Sequence, residues 1–64
     1  MNYQSLVERV RSEFLEMPGL SLTPAQACRL WGVDVRACEH VITALIGAAF
    51  LRWTPKGRLV RTDD

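Results

Sequence analysis

One histidine, two cysteines and no glycine-rich phosphate loop leave this 64-residue sequence without the parts of an enzyme site. No serine, histidine and carboxylate combine into a nucleophilic arrangement, and a chain this short hardly encloses a substrate pocket. The reading is therefore a non-enzyme with no cofactor and no small-molecule substrate. Cys28, Cys38 and His40 fall short of the four ligands a structural zinc needs, so no metal site is expected. No run approaches the roughly 20 apolar residues of a membrane-spanning helix. Charge of one sign is missing too: eight Lys and Arg stand against seven Asp and Glu, for a net charge of +1. That excludes the strongly basic tail of a charge-driven nucleic-acid binder.

What charge there is has a direction. Residues 1–28 carry a balance of −1, and residues 29–64 a balance of +2, so any electrostatic footprint belongs to the second half. The leading Met1-Asn2-Tyr3-Gln4 runs straight into an amphipathic pattern, which predicts a cytoplasmic protein with its thiols reduced. The length predicts a single domain spanning 1–64 with a small core, for which a partner often supplies extra burial.

Apolar Tyr3, Leu6, Val7, Val10, Phe14, Leu15 and Met17 recur at mostly helical steps, predicting a helix over 3–17. Pro18-Gly19 ends it, with glycine expected in a left-handed turn. Leu20-Ser21-Leu22 alternates as a short strand. Thr23, Pro24 and Gln26 make a capping box for a helix over 24–31, which stops at Gly32. Asp34 caps a third helix over 35–48, with Cys38, Val41, Ile42 and Leu45 as its inward stripe. A hairpin over 50–61 turns at Thr54-Pro55-Lys56-Gly57, and Thr62-Asp63-Asp64 reads as a frayed end. The expected core is Phe14, Leu30, Trp31, Cys38, Val41, Leu45 and Phe50. The fold class is α+β, mainly α: three helices closed by a C-terminal β-hairpin.

The stretch from Leu22 to Arg61 resembles the winged helix-turn-helix domains of bacterial transcriptional regulators. The resemblance lies in Cys28, Gly32, Val33, Cys38 and Val41, then in Ala48-Ala49-Phe50-Leu51-Arg52 at the helix-to-wing junction. Thr54-Pro55-Lys56-Gly57-Arg58 is similar to a short wing. Ala49 departs from the pattern, standing where such domains usually carry glycine. Either it adopts a left-handed conformation at about 1 kcal/mol, or the helix ends at Gly47. The resemblance implies that the third helix is a recognition helix, and that Cys28 and Cys38 pack together as buried small hydrophobes.

On this reading the partner is duplex DNA, bound by a small bacterial or phage transcriptional regulator. Arg36 reads a guanine or grips a phosphate, and Glu39 accepts from cytosine. His40 and Thr43 reach base edges or backbone. Lys56, Arg58, Arg61 and Arg52 face phosphates, and the helix start at Thr23 offers amide hydrogens to one more. The same side chains also suit a solvated helix face and a soluble hairpin edge. The alternative is a protein-interaction or oligomerisation module using the same fold through Trp53, Ile46 and Val35, apolar where polar residues are usual. A homodimer through the first helix or the hairpin follows from the small core.

Overall fold

The computed structural model describes residues 3–63; Met1, Asn2 and Asp64, which the 1–64 span includes, lie outside the described residues. Three helices, α1 (Gln4–Glu16), α2 (Pro24–Trp31) and α3 (Val35–Gly47), precede an antiparallel pair, β1 (Leu51–Trp53) and β2 (Leu59–Arg61). The hairpin register pairs Leu51 with Arg61, Arg52 with Val60 and Trp53 with Leu59. The expected α+β architecture, mainly helical with a C-terminal hairpin, is the one observed. Among the described residues no helix is long and apolar enough to cross a membrane.

Each helix boundary has a local cause. At α2 the Thr23 hydroxyl accepts from the Gln26 amide at 3.2 Å, and the Gln26 side chain accepts from the Thr23 amide at 3.0 Å. At α3 the Asp34 carboxylate accepts from the Ala37 amide at 2.8 Å. Both C-termini close in the same way. After α2, Gly32 takes φ 65°, its amide reaches the Arg29 carbonyl, and the Val33 amide reaches back to the Cys28 carbonyl. After α3, Ala49 takes φ 59°, its amide donates to the Ile46 carbonyl, and the Phe50 amide donates to the Leu45 carbonyl. These are two Schellman motifs, one built on glycine and the other on alanine. The two alternatives for Ala49 are thus both realised: the regular helix ends at Gly47, and Ala49 is left-handed two residues later.

Three loop expectations need correction. Gly19 is not left-handed; the chain leaves α1 through a turn closed by the Leu20 amide on the Met17 carbonyl at 2.9 Å. The strand expected over 20–22 shrinks to one residue, because Thr23 begins the α2 cap at once. Leu22 alone bridges Leu59 through two backbone hydrogen bonds of 3.1 and 2.7 Å. The tail expected to fray is tied back through Asp63. The Thr62 amide donates to the Phe50 carbonyl, its hydroxyl donates to Ala49, and Arg61 pairs with Asp63 at 2.8 Å.

The core joins every element. Val10 and Phe14 of α1, Ala27 and Trp31 of α2, Cys38, Val41, Ile42 and Leu45 of α3, and Leu22, Leu51 and Leu59 form one buried cluster. Leu30 does not belong to it and is 51% exposed, since on the short α2 only Ala27 and Trp31 are buried, with Cys28 packed at the edge. Phe50 is half-buried, packed against the cluster with the Arg11 guanidinium 5.3 Å from its ring centre. Arg9 of α1 donates to the Trp31 carbonyl at 2.8 Å, satisfying an acceptor that α2 leaves open at its end.

Candidate functional site

The inward stripe of α3 is fixed by the core, and this fixes what the helix shows outside. Arg36, Glu39, His40 and Thr43 are all exposed on its outer side. Gly32 and the Asp34 cap set where α3 begins, so these four side chains sit on a rigid element. Arg36 and Glu39 make no ion pair with each other; Arg61 with Asp63 is the only salt bridge among the described residues. His40 lies against Tyr3, with ring centroids 4.5 Å apart and planes at 41°. One face of the imidazole is therefore covered by the start of α1.

The flanking groups are less uniform than the sequence suggested. Lys56 at the hairpin turn and Arg52 on β1 are exposed. Arg58 is half-buried and turned inward. Its Nε donates to the Ser21 hydroxyl at 2.8 Å, and one Nη donates to the Ser21 carbonyl at 2.9 Å and the Gln26 side chain at 3.3 Å. It clamps the hairpin to the α2 cap. Arg61 is held by Asp63. The Thr23 helix start offers little to an anion, because Pro24 has no amide hydrogen and those of Thr23 and Gln26 are taken by the capping box. Ala25 supplies the amide that remains.

Beside α3 lies an open groove of about 520 Å³. Ile42, Thr43 and Ile46 of α3 form one wall, Pro24 at the start of α2 and Trp53 at the end of β1 form the others, and Glu39 stands at the rim. Leu51 and Trp53 share a face of the hairpin, but only Leu51 is enclosed; Trp53 stays 44% exposed at the groove. Val35 is 63% exposed. Sequence reasoning had flagged Trp53 and Ile46, and had missed Pro24 and Tyr3. Pro24 is legible in the sequence as a helix start and Tyr3 as part of the first helix's apolar pattern, but that each meets α3 is decided by tertiary packing.

The thiols lie on the facing sides of α2 and α3, both free. Cys38 is buried, and its sulfur donates to the Pro24 carbonyl at 3.9 Å. Burial first, then a hydrogen bond with Cys28 and the nearby charges of Cys28 and Glu39, pushes the Cys38 thiol up to about 12. Cys28 was expected to be equally enclosed and is only half-buried, since it occupies the last turn of the short α2. The described residues contain no group of three or more His, Cys, Asp or Glu placed to hold a metal ion. Comparison with protein-family models, with curated proteins and with solved structures finds no significant match to this chain.

Proposed function

We propose that this chain is a winged helix-turn-helix protein that binds duplex DNA as a small transcriptional regulator, with α3 in the major groove. The observation that carries the reading is the outer side of α3. Arg36, His40 and Thr43 stand exposed together on a helix held by a capped start and a glycine turn, with Lys56 exposed on the hairpin. Arg36 is the base-reading side chain, its planar fork suited to the two acceptors of guanine. His40 and Thr43 contact base edges or backbone. Lys56 and Arg52 meet phosphate, with the half-buried Arg58 and the Ala25 amide as smaller contributions. Leu15 and Met17, each about half exposed on and just after α1, support pairing of two copies on two half-sites.

The test is fluorescence anisotropy with a randomised duplex pool and its selected sequences, over a range of salt. A monomer making about three phosphate contacts gives a log–log salt slope near −3, and a dimer roughly twice that. Lys56→Ala weakens binding evenly across sequences and flattens the slope by about one. Arg36→Ala costs about 1–3 kcal/mol on a preferred site and relaxes preference at one base pair. Binding that ignores salt and both substitutions refutes the reading.

A further inference from the structure

We propose that the groove beside α3 docks a helical segment of another protein that carries apolar anchors and one basic side chain. The proposal does not depend on whether α3 also meets DNA. Its first support is spacing. Val35, Glu39, Ile42 and Ile46 follow one another at i, i+4, i+7 and i+11, a single stripe along the side of α3 that borders the core: Val35 and Glu39 are exposed, Ile46 is half-buried, and Ile42 is a core residue whose edge lines the groove. That period is the one a second helix uses when its own side chains pack between these positions. Trp53 and Pro24 close the groove toward the hairpin and α2, so a large, partly exposed aromatic forms one wall of the contact.

The second support is charge. Glu39 is the one ionisable side chain in the groove lining, and it makes no hydrogen bond or ion pair with any described residue. An apolar helix laid across it desolvates that carboxylate, which is costly unless the incoming segment supplies a counter-charge. A lysine or arginine flanking the anchors supplies it, as charged flanks do beside the apolar seam of paired helices. A second copy of this chain fits less well. Face-to-face pairing of two α3 stripes presents the same acid to the same apolar seam. Pro24 on one side and Trp53 on the other frame the groove, and Thr43, proposed above to meet DNA, lines it, so an occupant also stands where DNA would approach α3.

The experiment uses the full chain, isotope-labelled for NMR, and two synthetic helical peptides with the same leucine face. One peptide flanks that face with lysine, and its twin carries glutamate there. The lysine peptide should shift the Trp53 indole N–H and the amides of Ile42 and Ile46, and bind about fivefold tighter than its twin. Glu39→Gln should remove that preference while leaving both peptides bound. Trp53→Ala should weaken binding about tenfold with melting unchanged, and Val35→Ser, at a highly exposed position, should weaken it less. Equal binding of the twins, binding by neither, or shifts confined to another surface overturns the proposal. Concentration-dependent shifts of Trp53 without peptide assign the groove to a second copy and overturn it as well.

Discussion

Replacing Ala49 by glycine should stabilise this protein, although it removes a methyl group and adds nothing. Ala49 holds φ 59° because it completes the Schellman motif that turns the chain from α3 into β1. A left-handed conformation costs an L-residue with a Cβ about 1–2 kcal/mol. Glycine does not bear that cost, but its unfolded chain is freer, which offsets about 0.4–1 kcal/mol of the gain. The net expectation is about 0.5–1 kcal/mol, or roughly 2–8 °C in melting temperature for a domain of this size. Gly32→Ala is the mirror experiment. Gly32 has φ 65°, and a Cβ built there meets nothing within 4 Å, so the cost is purely conformational and of similar size. Thermal melts and urea titrations followed by circular dichroism read both, with the midpoint moving and the slope unchanged. The double variant should return close to the parent, since the two turns share no contact that would couple them. An Ala49→Gly protein that melts at or below the parent temperature refutes the left-handed assignment and the energetics built on it.

Arg58→Lys keeps the charge and loses the fork that holds Ser21 and Gln26, so it should cost about 1 kcal/mol. Lys56→Ala, at the exposed turn, should stay within about 0.5 kcal/mol in the same urea assay; equal effects would show that the Arg58 clamp contributes nothing. The Cys38 thiol is held neutral in the folded state up to about 12, against an ordinary value of 9.0. Its contribution to stability is whole below pH 9 and is lost as pH rises toward 12, because the unfolded chain releases that proton first. Stability measured against pH should therefore fall more steeply in the parent than in Cys38→Ala across that window. In native protein a thiol reagent should modify Cys28 before Cys38; the reverse order would contradict the burial described here.

The legible part of this fold was local. A capping box needs only Thr23 and Gln26 at the right spacing, and the hairpin turn needs only Pro55 and a left-handed Gly57, so both were readable from adjacent residues. Periodicity likewise gave the inward side of α3 and, by subtraction, the outward Arg36, Glu39, His40 and Thr43. The same logic failed for Leu30, whose side chain is apolar but lies on a two-turn helix with room for only a narrow buried stripe.

Arg58 marks the boundary most clearly. Its sequence context, an arginine after a hairpin turn, says only that a cation is near the surface. What it touches is Ser21, 37 positions earlier, and no local pattern encodes that meeting. The same holds for Tyr3 against His40 and for Pro24 and Trp53 framing one groove with Ile46. The sequence by itself determined where helices start and stop, because caps, turns and helical periods act over four residues or fewer. Only the tertiary structure decided which cations stay turned outward and which apolar side chains remain uncovered. Those outcomes depend on distant elements competing for the same neighbours.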